Sequence, residues 1–201
     1  MNRPVLLVLA LEQENHQHRL NPLADNVLYT GVGKVNATLA LTRHLAACAE
    51  MPLVVNVGSA GSHCFASGEV VNVTAFVQRD MDCTAMDVPL GQTPFETAKR
   101  LENGLAIEGL PSAACFTGDS FVTEAHPVFH LEVIDMESYA LAKVCAAFNA
   151  PFLCLKFITD GADGQAAEDW SQAVALSAHR LEDALKAALA QVFLQREHAF
   201  P

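Results

Sequence analysis

Five short apolar stretches recur along the chain, 5–11, 27–32, 53–57, 70–77 and 152–158, most of them apolar on consecutive rather than alternate residues. A strand with one wet face alternates, so continuous runs predict strands buried on both faces. Between them, apolar residues recur at helical spacing. Residues 34–50 carry Val35, Leu39 and Leu45, and residues 138–149 carry Leu141, Val144, Cys145 and Phe148. A last helix over about 170–195 places Val174, Leu181, Leu185, Ala188 and Val192 on one stripe, with Asp169 or Ser171 able to cap its start. Strands alternating with helices predict an α/β fold with a parallel sheet. No repeat or Pro/Gly/Ser-rich linker divides the chain, so 1–201 reads as a single domain. The least regular stretches, 15–26 and 80–94, both follow strands. In open α/β sheets, the loops leaving the carboxyl ends of strands line the ligand crevice.

Composition narrows the function classes. The chain is 51% apolar, and 12 Lys plus Arg against 23 Asp plus Glu give a formal net charge of −11. That sign repels nucleic acid and anionic lipid, so neither is expected as a partner. No apolar run approaches the ~20 residues of a membrane span. The run at 5–11 meets Glu12 and Glu14 at once and reads as a buried strand, not as a secretory leader. Cys48, Cys64, Cys83, Cys115, Cys145 and Cys154 form no CxxC pair. A chain of this length needs no covalent staple, so the cysteines read as reduced core thiols of a cytoplasmic protein.

Four strand exits carry polar residues that a packed core does not call for. These are Glu12 and Glu14, then Gly58-Ser59-Ala60-Gly61, then Asp135-Met136-Glu137, and finally Asp160. Taken singly, each acid is also what a solvated turn or helix N-cap would carry. Grouped around one crevice, acids shift one another's pKa values and can supply both an acid and a base for proton transfer. Gly31-Val32-Gly33-Lys34 lacks the spacing of a phosphate-binding loop and reads as a strand-to-helix turn.

In this set the resemblance becomes specific. The segments ALEQE (10–14), TGVGKVNA (30–37), NVGSAG (56–61), TGDSFV (117–122), IDMES (134–138) and TDGAD (159–163), supported by DMDCTAM (80–86) and PLGQ (89–92), follow one another in a known order. The chain resembles the 5′-methylthioadenosine/S-adenosylhomocysteine nucleosidases of the nucleoside phosphorylase superfamily. The resemblance implies a three-layer α/β/α sandwich around a mixed, mostly parallel sheet. It implies that Glu14 activates the attacking water, that Asp160 protonates the purine, and that Glu137 holds the ribose hydroxyls beside Met136. By the same token Phe121 stacks on adenine, the Val122 backbone reads the base edge, and Ser59, Ala60 and Gly61 form the turn beneath the nucleoside. No cofactor and no metal are implied, and the family is typically homodimeric. The 70–77 strand and residues 81–86 are the expected dimer surface. Core filling is the competing reading for Phe121 and for Met136.

The chain departs from the family pattern on one side. Only residues 15–26 stand where relatives carry a helix and a hairpin, Met86 replaces an aromatic that reaches across the dimer to the 5′ pocket, and Trp170 is left as the nearest aromatic on that side. The 5′ substituent of the substrate is therefore open. Two other function classes stay open as well. A phosphorylase needs arginines around phosphate, and only Arg43 and Arg79 lie near site segments. A nucleoside-binding homologue without turnover would keep the fold alone. His16 and His18, at i and i+2 with no third ligand, read as loop residues and not as a zinc site.

Overall fold

The computed structural model describes residues 3–124, 126, 128–163 and 166–197. Seven strands and three helices follow in the order β1 (Val5–Leu9), β2 (Asn26–Tyr29), α1 (Lys34–Ala46), β3 (Leu53–Gly61), β4 (Val70–Gln78), β5 (Ser112–Thr117), β6 (Val133–Asp135), α2 (Ser138–Phe148), β7 (Phe152–Asp160) and α3 (Ala166–Glu197). Every residue of β1 and β7 is buried, as the apolar run of β1 and the run of β7, interrupted only by Lys156 before Thr159 and Asp160, predict.

The sheet is mixed, as expected, but it departs from the expected three-layer sandwich around a mostly parallel sheet by curling onto itself. Along one edge β3 pairs in parallel with β7; along the other it pairs with β1 and then, at Gly61, with Ile134 of β6. The strands β7, β4, β5 and β6 continue the pairing until it returns to β3, so five strands close a ring. Register shifts at Ala60/Gly61 and at Val73/Ala75 supply the bends, since an extra residue on one strand increases local twist. β1 and β2 extend outward from β3.

Helices cover two faces. Ala37, Leu41 and Leu45 of α1 pack with Leu141, Val144 and Cys145 of α2 over one face. Leu181, Leu185, Ala188 and Val192 of α3 cover the other, against β1, β3 and β7. The stripe expected on α1 is corrected here: Leu45 is buried, but Val35 and Leu39 are 76% and 58% exposed. Helix α3 begins at Ala166, upstream of the expected caps, whose side chains lie outside the described residues, as does that of Val174. Cys115, Cys145 and Cys154 are core thiols, whereas Cys64 is exposed. Among the described residues no helix is long and apolar enough to cross a membrane.

Ring closure brings the site together. β1, β3 and β7 run parallel and present their carboxyl ends on one side. β6 meets β3 through a single antiparallel pair, Gly61 at the end of β3 with Ile134 in the middle of the three-residue β6, so Asp135 lies beside the end of β3.

Candidate active site

A cleft of about 230 Å³ opens where those strand ends converge. Nine of the ten expected site residues line it: Glu14, Ser59, Ala60, Gly61, Phe121, Val122, Met136, Glu137 and Asp160. Met86 does not line it; this residue sits in a 3-10 turn and is 61% exposed. Stretches 15–26 and 80–94 contribute no lining residue either, because the strands themselves reach the cleft: Ser59 and Asp160 belong to β3 and β7.

After β1 the chain turns through a kinked 3-10 segment, Glu12–His18, which stands in place of a full helix. Within it Glu12 faces solvent while Glu14 is buried at 3% exposure. The Glu14 carboxylate accepts from Ser59 N–H (2.8 Å) and Ser59 Oγ (2.7 Å) on Oε1, and from Leu11 N–H (3.1 Å) on Oε2. An ionised carboxylate has about four acceptor positions, so one is left for a ligand. Trp170 Nε1 donates to Ser59 Oγ at 2.8 Å, which leaves the Ser59 proton directed at Glu14. Gly58 is necessary to this packing, since a Cβ there would lie 2.9 Å from Glu14 Oε1.

Glu137 stands at the start of α2 and accepts from Gly33 N–H at 2.8 Å. Burial, reinforced by the charge of Asp135, pushes its pKa up to about 7, against the opposing pull of Lys156 and Gly33 N–H. Beneath it lies an ion pair that the sequence reading missed. Lys156 Nζ is 2.9 Å from Asp135 Oδ2, with side chains 2% and 1% exposed. Asp135 also accepts from Thr117 Oγ1, Ser138 N–H and Ser138 Oγ. Although burial disfavours its charge, Lys156 and those hydroxyls hold its pKa at about 2. Burial likewise opposes the Lys156 charge, and Asp135 more than offsets it. The available signal was a lysine inside an otherwise apolar strand, which requires a buried acid partner.

Asp160, 5% exposed, accepts from Thr159 Oγ1 (2.7 Å) and from Ala162 N–H (2.9 Å). Phe121 is 50% exposed, which excludes plain core filling, and Val122 rests half-buried on Leu131, Ile134 and Ala162.

The arginines are not disposed to hold an anion in the cleft. Arg43 lies exposed in the last turn of α1, remote from the helix start that touches Glu137. The Arg79 guanidinium donates to the main chain and hydroxyl of residues 118–120. Among the described residues no cluster of three His, Cys, Asp or Glu could hold a metal. His16 and His18 are exposed, and His18 faces Glu12 at 3.4 Å.

The profile of the Phosphorylase superfamily matches residues 26–192. The chain belongs to that superfamily. Within it, the chain is 31% identical over 172 residues to the 5′-methylthioadenosine/S-adenosylhomocysteine nucleosidase of Haemophilus influenzae, covering 76% of this chain and 75% of that protein. It is 31% identical over 159 residues to the nucleosidase of the same name from Bacillus cytotoxicus, covering 67% of each. Among solved structures, a mutant of the Helicobacter pylori nucleosidase with 5′-methylthioadenosine in its active site superposes with a TM-score of 0.84 at 24% identity, covering 95% of this chain and 100% of that one. The futalosine hydrolase of Helicobacter pylori superposes at 0.83 with 23% identity, covering 94% and 98%. At those identities the superpositions speak for the shared fold.

Proposed function

We propose that the protein hydrolyses the N-glycosidic bond of a 5′-modified adenosine, of the methylthioadenosine or S-adenosylhomocysteine type, and releases adenine. Glu14 takes a proton from a water bound at its remaining acceptor position, and the water oxygen attacks the anomeric carbon. As the C–N bond breaks, its electron pair passes to the purine, which Asp160 protonates. Glu137 accepts from the ribose hydroxyls and strengthens those bonds as the sugar becomes cationic, which is transition-state rather than ground-state binding. Phe121 offers a ring face to the base and Val122 its main chain.

One observation favours water over phosphate. The Ser59 amide and hydroxyl, the donors an oxyanion would use, already serve the Glu14 carboxylate. A phosphate there meets a fixed negative charge, and the Arg79 guanidinium is already engaged by Gly118 and Ser120.

The deciding experiment is chromatography of products from a panel of 5′-substituted adenosines and inosines, with and without phosphate. Free adenine without phosphate is the expected result. Base release that requires phosphate would make the protein a phosphorylase, and binding without release would make it a binding homologue. Glu14→Gln and Asp160→Asn should each lower kcat by about 10²- to 10⁴-fold.

The same reading includes a homodimer, with a corrected surface. β4, expected to supply it, is largely buried, whereas Val35 and Leu39 on α1 and Met86 are exposed apolar residues. Leu39→Glu should convert a dimer to a monomer in light scattering. Six free thiols suit a reducing compartment, the cytoplasm.

A further inference from the structure

The base side of the cleft is held from behind by a residue that the mechanism does not use. Arg79 directly follows β4 and is 7% exposed. Its main-chain N–H donates to Thr117 O (2.9 Å), Nη1 donates to Ser120 Oγ (3.0 Å), and Nη2 donates to Gly118 O (3.2 Å) and to Ser120 O. The next residue continues the grip: Asp80 accepts from Asp119 N–H at 2.9 Å and pairs with Lys34 Nζ at 2.5 Å. Two consecutive residues leaving β4 thus hold three consecutive residues leaving β5, and these lead straight into Phe121 and Val122. Gly118 fits the arrangement, because a Cβ there would lie 2.7 Å from Arg79 Cζ. The flat guanidinium lies where no side chain can stand.

The arrangement is costly. Arg79 Nε is buried without a partner, and burial lowers the pKa of the group although Asp80 and Asp135 oppose it. An apolar side chain would avoid that desolvation. What the guanidinium supplies instead is a rigid planar fork that fixes the loop backbone at several points.

We infer that Arg79 is a positioning residue for purine recognition: its fork sets residues 118–120 so that Phe121 and Val122 meet the base at the required spacing. The inference rests on the base-side reading of Phe121 and Val122 given above. It assigns Arg79 no contact with substrate and no part in bond breaking.

Arg79→Met keeps an apolar stem and removes the fork, and Gly118→Ala disturbs the same contact from the loop side. Trp170 is the sole tryptophan and lines the cleft, so its fluorescence reports binding of free adenine without turnover. Both variants should weaken adenine binding about tenfold or more and raise KM similarly, with kcat within about threefold and the ratio of KM values between two 5′ substituents unchanged. Arg79→Lys, which keeps the charge but not the fork, should fail to restore adenine affinity. The inference is overturned if folded Arg79→Met and Gly118→Ala bind adenine like wild type. It is also overturned if kcat, adenine affinity and 5′ discrimination fall together with the thermal midpoint. Should Arg79→Met not fold, Gly118→Ala decides alone. A wild type that binds adenine but releases none from nucleosides removes the hydrolase reading and leaves this inference in place; one that binds no purine overturns both.

Discussion

Lys156→Met removes one partner of the buried pair beneath the ribose site. Its Nζ lies 2.9 Å from Asp135 Oδ2 in the middle of a strand whose nine residues are all buried. Removing one partner of such a pair typically costs about 3–5 kcal/mol, because the surviving charge stays in the interior. Asp135 keeps its bonds from Thr117 Oγ1 and Ser138, which places the expected loss near the low end, about 3 kcal/mol. For a chain of this size that lowers the thermal midpoint by roughly 6–12 °C. The pH dependence carries the sign. In the wild type the Asp135 pKa is held at about 2 against an ordinary 3.8, so the carboxylate contributes stability above pH 4 that is lost as pH falls from 4 towards 2. Without Lys156 that pKa rises, so the deficit of the variant should shrink as pH falls below neutrality. Asp135→Asn combined with Lys156→Met leaves two neutral groups and should recover at least about half of the loss. Urea unfolding at pH 5 and pH 7.5 measures all three proteins. A loss under about 1 kcal/mol for Lys156→Met, or a double variant as unstable as the single one, would refute the reasoning.

Glu137, raised from 4.5 to about 7, makes the fold lose stability as pH climbs through that window, since the folded chain holds a proton that the unfolded chain has released. Glu137→Gln should therefore melt higher than wild type at pH 8; in rate profiles the wild type's kcat/KM should rise through pH 7, and that rise should be absent from the variant. Gly58→Ala places a Cβ 2.9 Å from Glu14 Oε1 and should lower kcat by about ten- to a hundredfold with an unchanged circular dichroism spectrum; a kcat within twofold of wild type contradicts the packing. Trp170→Phe removes the indole donor to Ser59 Oγ and should lower kcat/KM about three- to tenfold by steady-state kinetics, the worth of one hydrogen bond.

The acids of the site were legible because they interrupt apolar runs at their ends, in segments whose order matches a family. Trp170 was visible only as an aromatic on the 5′ side, and its bond to Ser59 joins residues 111 positions apart. β5 passed unnoticed because Ser112-Ala113-Ala114-Cys115-Phe116-Thr117 has weak strand preference; pairing between β4 and β6 makes it a strand. On α1, the stripe through Val35 and Leu39 and the one through Ala37 and Leu41 both satisfy helical spacing. Contact with α2 and the sheet selects the second.

The sequence by itself determined that the chain builds buried strands between helices, that it repels polyanions, and that acids stand at strand exits. Those are local facts, because burial on two faces is written in consecutive apolar residues and charge in composition. Only the tertiary structure decided that the sheet closes into a ring, that Lys156 faces Asp135, and that Arg79 serves a loop instead of an anion. Each of these depends on strand register and on pairs far apart in the chain, which no local spacing encodes.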